Sequence, residues 1–438
     1  IRQNFSGISE EDIFDLAGAR GTLSILINNL HRPKTMMAGN WAIQTAKSIA
    51  IAYIRHAAQQ ATIAPINVDS IIRIEPGQLN KLAAQVPFPL TKGDLSQVSA
   101  IKEIAGLLEA PYPMNALLSA DVGTGKTVCY GLIAAAAQRL GKRVGVLIPN
   151  SILANQAGAE IRDTFAESKV IITHEKMKGS DIPWHLNPIL VGTTKLFGLC
   201  KKQGWVPDLL IVDEQQKTDE KQRRTLCGPH TNVLETTATP ISRSMALLEH
   251  GNKSLIQIEA QHADKKISTE IISNDPAARA ALFGDLKKAV AAGEQIVIVY
   301  PKVAGSSAND MASLTTMQEL WERNFPGQTI VLHGKMTDAE KIAVMERIRN
   351  RDVQIIITTV ILEIGITIKN LRHLMIVRPD RVGVFTLHQL RGRLVRNGGE
   401  GRFLMYLQEA VKDETRERLD LLCKTNSGFE LAQLVMER

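Results

Sequence analysis

The sequence predicts an α/β protein: two tandem domains, each a parallel β-sheet flanked by helices, with a helical N-terminal module in front and a short helical C-terminal tail behind. Two observations carry this. Short runs rich in β-branched residues, at 144–148, 189–191, 209–212, 296–299, 355–357 and 374–377, alternate with helical segments, as parallel strands covered on both faces require. At 438 residues the chain is too long for one ordinary core, so two domains of roughly 150 residues plus smaller additions are expected.

Residues 1–85 read as helical. Ser9 and Asp12 form a capping pattern before Ile13, Phe14 and Leu16, and an Ala-rich helix follows Asn40. A first sheet domain is expected over 86–260 and a second over 264–410, with the polar stretch 261–266 as the hinge region. The charged, helical tail occupies 411–438.

Composition excludes several classes. Hydrophobic residues make up 44% and charged residues 22% of the chain, as in soluble globular proteins. The apolar stretch 42–61 carries Lys47, Arg55 and several glutamines, which a bilayer core would penalise, so a packed helix and no membrane partner are expected. Cys129, Cys200, Cys227 and Cys423 are scattered with no CxxC pair; neither a zinc site nor a disulfide framework is indicated, and a reducing cytosol fits. No secretory or transit segment is visible near Ile1. A formal charge of +7 favours a polyanionic partner.

The strongest local signal is Ala120-Asp121-Val122-Gly123-Thr124-Gly125-Lys126-Thr127, between an apolar segment and the helical run 132–140. Backbone N–H groups of such a loop converge on phosphates. Gly123 and Gly125 permit the tight path, Lys126 reaches the β- and γ-phosphates, and Thr127 ligates Mg²⁺. Ala120 replaces the first glycine of the usual pattern.

The strand at 209–212 ends in Asp213-Glu214-Gln215-Gln216. An acid at a buried strand tip beside a phosphate loop can hold Mg²⁺, and its neighbour Glu214 can orient and deprotonate an attacking water. A solvated acidic pair is the plainer alternative. Thr237-Ala238-Thr239-Pro240 follows a strand around Val233 and Leu234. Much later comes Gln389-Leu390-Arg391-Gly392-Arg393-Leu394-Val395-Arg396. Guanidiniums three apart on a helix share a face, so Arg393 and Arg396 are expected to point together into an interdomain cleft, as arginine fingers do. An ordinary basic helix face is the alternative.

In this order the motifs resemble the superfamily 2 helicase series, and within it the RecG branch, with the transcription-repair coupling translocase Mfd as a close relative. The likeness rests on Phe88-Pro89-Leu90-Thr91, Pro113-Met114-Asn115, the phosphate loop, Pro149 with Ile152-Leu153-Ala154 and Gln156, and Thr239-Pro240-Ile241 with Arg243. It continues through His333-Gly334 with Met336, 359–365, Leu387-His388-Gln389-Leu390-Arg391-Gly392-Arg393 and Gly428-Phe429-Glu430-Leu431-Ala432, covering about 86–435.

The resemblance implies two RecA-like domains, ATP and Mg²⁺ as cofactors, and roles position by position. Lys126, Asp213, Glu214, Gln389, Arg393 and Arg396 would be catalytic, with Thr127 and Asp213 at the metal. Gln97 stands where the family reads adenine, with Phe88 as a stacking partner; Asp121, Val122, Gly123, Thr124, Gly125 and Gly365 would complete the nucleotide site. Pro149, Asn150, Gly192, Thr193, Thr194, His333, Gly334 and Thr359 would face the nucleic-acid backbone, where small residues and hydroxyls suit sequence-blind phosphate contacts. Thr237 and Thr239 would couple the two sites. Departures from the family pattern are Gln216 for a histidine, Thr367 for a ribose-contacting aspartate and Val395 for a glycine.

Two larger departures concern fork specificity. Residues 1–85 lack the alternating five-strand pattern of the OB-fold wedge typical of RecG, and the chain stops soon after Gly428-Phe429. A compact relative is therefore expected, with a phage or mobile-element source left open. The resemblance implies an ATP-driven motor on duplex or branched DNA, in the cytoplasm of a bacterial or phage-infected cell and associated with the nucleoid. Two alternatives stay open: an RNA motor or protein-displacing translocase, and an ATPase switch recruited by a protein partner through 1–85.

Overall fold

Two parallel sheets organise the chain. The computed structural model describes residues 10–16, 18–61, 67–121, 123–174, 176–214, 225–238, 253–260, 265–301, 309–333, 336–359, 368, 371–395 and 398–436.

The N-terminal helices α1 (Glu10–Leu16), α2 (Leu23–His31) and α3 (Met36–Ala61) enclose a small core of Ile13, Phe14, Leu23, Leu26, Ala42 and Ile49, with Trp41 packed against it. Thr22 caps α2 by accepting from Ile25 N. Helices α4 (Pro76–Ala83) and α5 (Gln97–Leu108) follow. Leu82 of α4, together with Ile72 and Ile74 before it, belongs to the core of the first sheet. The packing of the first domain therefore begins upstream of residue 86, because the stretch after the third helix carries its own buried apolar side chains.

The first sheet contains β1 (Asn115–Ala120), β2 (Val144–Leu147), β3 (Val170–Ile172), β4 (Ile189–Gly192), β5 (Leu209–Val212), β6 (Asn232–Thr237) and β7 (Ser254–Ile258), in the order β3-β4-β2-β5-β6-β1-β7. Its ladders are all parallel. Helices α6 (Lys126–Arg139), α7 (Ser151–Thr164) and α8 (Lys195–Gln203) make crossovers. The central strands β2, β4 and β5 are buried at every position, and each fully buried Val or Ile contributes about 1.5–3 kcal/mol of transfer free energy.

The second sheet holds β8 (Lys265–Ile272), β9 (Ile296–Val299), β10 (Thr329–Leu332), β11 (Ile355–Thr358), β12 (His373–Val377) and β13 (Gly399–Tyr406), in the order β10-β11-β9-β12-β13-β8. It too is parallel throughout. With it go α9 (Pro276–Ala291), α10 (Asn309–Asn324), α11 (Asp338–Arg349), α12 (Val384–Arg391), α13 (Asp413–Lys424) and α14 (Gly428–Met436).

Two expectations are corrected. The hinge region 261–266 does not extend to its end: Lys265 and Lys266 already form β8 and pair with Gly399 and Glu400, while 261–264 lie outside the described residues. The C-terminal segment is helical as expected, forming α13 and α14, and its Leu419, Leu421, Leu422 and Leu431 are buried in the core of the second domain. The helix carrying Arg391 ends there, and Arg393 sits in the turn beyond it. Burial of Leu394 and Val395 and the left-handed φ of 41° at Val395 set that turn, so Arg393 is not carried on the helix as expected, and Arg396 lies outside the described residues. Among the described residues, no helix is long and apolar enough to cross a membrane.

Candidate nucleotide site and its interdomain contacts

In a parallel sheet all C-terminal strand ends share one edge, and ligands bind there. Here that edge collects Asp121 after β1, Pro149 and Asn150 after β2, Thr193 and Thr194 after β4, and Asp213 and Glu214 after β5. The strand order separates two groups. Neighbours β5, β6 and β1 carry the loop, the acids and Thr237, whereas neighbours β4 and β2 carry Gly192 to Thr194 and Pro149 to Asn150. In the second sheet, His333 and Thr359 follow the adjacent strands β10 and β11.

The phosphate loop bends at Gly123 and Gly125, with φ of 81° and 77°, values that favour glycine. Gly125 is the N-cap of α6, so loop N–H groups and the positive end of the helix dipole converge where Lys126 begins. Thr124 is fully buried, its Oγ1 donating to Asp121 O at 2.9 Å.

Lys126 Nζ lies 2.8 Å from Asp213 Oδ1 and 3.2 Å from Glu214 Oε1. Burial alone disfavours the ammonium, but the charges and hydrogen bonds of Asp213 and Glu214 outweigh it and raise its pKa above the ordinary lysine value. Thr236 Oγ1 donates to Asp213 Oδ1 at 2.5 Å. Glu214 has φ of 52°, a left-handed conformation uncommon outside glycine that marks strain at functional positions.

Gln97 is fully buried and braces the loop. Its Nε2 donates to Thr124 O at 2.8 Å and its Oε1 accepts from Thr91 N at 2.9 Å. A Cβ at Gly125 would collide with Gln97 Nε2, so glycine is needed for this approach as well as for its φ. Two of the amide's four hydrogen-bonding positions are thereby used inside the protein. Phe88 is half-buried against the first-domain core.

The two domains meet at the loop. Asp121 is 6% exposed, and Asp121 Oδ1 lies 2.6 Å from His388 Nε2 while Oδ2 accepts from Gly428 N at 2.8 Å. His388 Nδ1 lies 3.0 Å from Arg391 Nη2. Because a guanidinium only donates, Nδ1 must accept, and the proton on Nε2 is then given to Asp121. Arg391 also donates to Leu422 O and to Thr269 Oγ1. Burial lowers its pKa to about 10 with Asp121 opposing, so it stays cationic at neutral pH. Arg393 lines a cleft of the second domain with Thr358, Ile368 and Leu374, and Gln389 is half-buried on α12.

Other sequence-selected residues have structural duties. Asn150 caps α7, its Oδ1 accepting from Leu153 N at 2.9 Å. A Cβ at Gly192 would collide with Thr173 Oγ1, so the backbone approach there requires glycine. Thr194 is the N-cap residue before α8, and Thr237 is buried at the end of β6. Val122, Thr239, Gly334, Gly365 and Arg396 lie outside the described residues, as do Gln216 and Thr367. Sequence reasoning passed over Thr236 and the contact role of His388; a hydroxyl before Thr237 and a histidine inside the arginine-rich motif were the signals available.

A family model for the DEAD/DEAH box helicase matches residues 95–247, and one for the helicase conserved C-terminal domain matches 281–398. The ATP-dependent DNA helicase RecG of Aquifex aeolicus is 30% identical over 385 residues, spanning 83% of this chain and 47% of that protein. The chain is a RecG-like member of the superfamily 2 helicases. RecG of Bacillus subtilis is 31% identical over 83% of the chain and 54% of its own length. The chain spans about half the length of the curated relatives it matches. A structure of RecG bound to a three-way DNA junction superposes with a TM-score of 0.66 at 22% identity, covering 98% of this chain and 61% of that one. Dbp5 of S. cerevisiae, bound to RNA and ADP BeF3, gives 0.56 at 16% identity over 81% of this chain and 92% of that one. These structural likenesses establish the RecA-like fold of both domains of this RecG-like chain.

Proposed function

We propose that the chain hydrolyses ATP between its two domains and uses the cycle to move on duplex or branched DNA, remodelling forks or junctions in replication, repair or recombination. The observation that carries this is Lys126 clamped between Asp213 and Glu214 at the C-terminal edge of the first sheet, with the second domain in contact with the same loop. Support for the DNA partner comes from relatives named as DNA helicases and from the RecG structure on a DNA junction.

In this reading, Lys126 exchanges its carboxylate partners for phosphate oxygens when nucleotide enters. Glu214, freed from the lysine, orients the attacking water and takes its proton. The donor set fits Mg²⁺: Thr127 and Asp213 offer a hydroxyl and a carboxylate, hard oxygens of the kind that accompany phosphate oxygens around this ion. The ion would offset charge on the phosphates. Arg393 and Arg396 act as arginine fingers on domain closure, assisted by Gln389, which requires the turn after α12 to swing toward the loop. Thr237 and Thr239 link the loop to the track.

The track itself runs over Pro149, Asn150, Gly192, Thr193 and Thr194 in the first domain and His333, Gly334 and Thr359 in the second. Backbone contacts of this kind give little sequence preference and strong salt sensitivity. The cytoplasm of a bacterial or phage-infected cell, close to the nucleoid, is the matching location.

A second reading, an ATPase switch recruited by a protein partner, is favoured by the N-terminal helices, where Ile25, Met36, Met37 and Ile43 are 51%, 87%, 81% and 47% exposed. ATP hydrolysis assayed with linear duplex, three-way junction, single-stranded DNA and RNA separates the readings. Stimulation by branched or duplex DNA, lost in Lys126→Ala, supports the motor. Stimulation by RNA alone, or by no nucleic acid, contradicts it.

A further inference from the structure

Lys265 opens β8, the edge strand of the second sheet, and belongs to no sequence motif of the nucleotide site. Its side chain nevertheless reaches the phosphate loop of the first domain. A Cβ placed on Gly123 would stand 2.5 Å from Lys265 Nζ and 4.0 Å from Gly392 O. The ammonium thus stands beside the loop backbone, on the side where the second domain approaches. Its strand partner is Gly399, with φ of 103°, which leaves no side chain opposite Lys265 in the ladder.

The candidate finger Arg393 lines a cleft of its own domain, and Arg391 is engaged by Thr269, Leu422 and His388. Among the described residues, Lys265 is a second-domain cation whose ammonium stands beside Gly123. Loop N–H groups around Gly123 and Gly125 are where a nucleotide's phosphate chain settles, with its outer phosphates toward Lys126. A lysine ammonium carries three rotatable donors on a flexible stem, so it can follow a phosphate group as the domains shift.

We propose that Lys265 is a phosphate-sensing residue that binds the terminal phosphate of a nucleoside triphosphate across the domain interface. The inference rests on the reading of 120–127 as a nucleotide loop. Borne by one domain and bonding a group held by the other, Lys265 would make a contact that exists with the triphosphate and is lost with the diphosphate. It would thereby favour the closed arrangement before hydrolysis and release it afterwards.

The test is direct binding of a non-hydrolysable ATP analogue and of ADP, by calorimetry, to the full chain and to Lys265→Gln, Lys265→Arg and Lys266→Gln. Adjacent strand residues face opposite ways, so Lys266→Gln is the control. Losing a charge-assisted hydrogen bond is expected to weaken the triphosphate analogue about 10-fold or more in Lys265→Gln. ADP affinity should stay near wild type, Lys265→Arg should recover most of the loss, and Lys266→Gln should match wild type. Equal weakening of both nucleotides, or of neither, overturns the role of Lys265. Failure of the wild type to bind either nucleotide overturns the nucleotide-loop reading, and the inference with it.

Discussion

His388 Nε2 stands 2.6 Å from Asp121 Oδ1, both side chains being almost fully buried. One hydrogen bond thus ties the phosphate loop to the helix that precedes the candidate fingers, and the other oxygen of the same carboxylate is held by Gly428 N of α14. Replacing His388 by Ala leaves a buried carboxylate short of a partner, a change that costs about 1–3 kcal/mol. In urea unfolding, His388→Ala should lose that amount and Asp121→Asn less. The double variant should cost clearly less than the sum of the singles; additive losses would mean that the contact is not formed in solution.

Gln97 supplies a prediction about nucleotide binding. Gln97→Glu cannot donate to Thr124 O and brings a negative charge beside the loop that would hold phosphate, whereas Gln97→Ala only removes the brace. Both should melt earlier, each by about 1–2 kcal/mol of lost stability. Glu should bind ATP more weakly than Ala in a direct titration.

Val395 pits strain against burial. It is 3% exposed, packs in the second-domain core, and has φ of 41°. A left-handed β-branched residue costs about 1–2 kcal/mol, comparable with the roughly 1.5–3 kcal/mol that burying its side chain returns. Val395→Gly loses the burial and relieves the strain, while Val395→Ala loses burial and keeps much of the strain. Chemical denaturation should rank the Gly variant at least as stable as the Ala variant, the reverse of the usual order.

Asp208 gives a pH dependence. Burial pushes its carboxyl up, but the hydrogen bonds and charge of Arg143 outweigh this and hold it below the ordinary aspartate value. A depressed pKa stabilises the fold above the unfolded value and is lost as pH falls through the folded one, so the loss begins below about pH 4. Denaturant midpoints measured from pH 6 downward should fall less steeply in that window for Asp208→Asn than for wild type.

How much was legible follows from burial. Strands covered on both faces, such as Ile296–Val299 and Leu209–Val212, read as unbroken apolar runs. Edge strands β3, β7, β8 and β10 went unnoticed, as did the interior strand β13, whose first two residues, Gly399 and Glu400, are exposed; Lys265 and Lys266 at the start of β8 resembled a linker. The loop and acid pair were legible because phosphate chemistry fixes residue types at short spacing. Contacts such as His388 with Asp121, 267 residues apart, depend on how two domains dock, which no local pattern encodes. The helix expected to carry Arg393 ended at Arg391 because burial of Leu394 and Val395 decided the backbone there.

In the proposed cycle Lys126, Asp213 and Glu214 form an ATP-hydrolysing site driven by DNA. Steady-state ATP hydrolysis by wild type and Glu214→Gln, without nucleic acid and with a three-way DNA junction at fixed low salt, tests it most directly. The predicted result is hydrolysis by wild type that the junction stimulates, reduced about 100-fold or more in Glu214→Gln, as loss of a general base entails, with ATP binding retained. Equal hydrolysis by the two proteins, or no response to DNA, would contradict it.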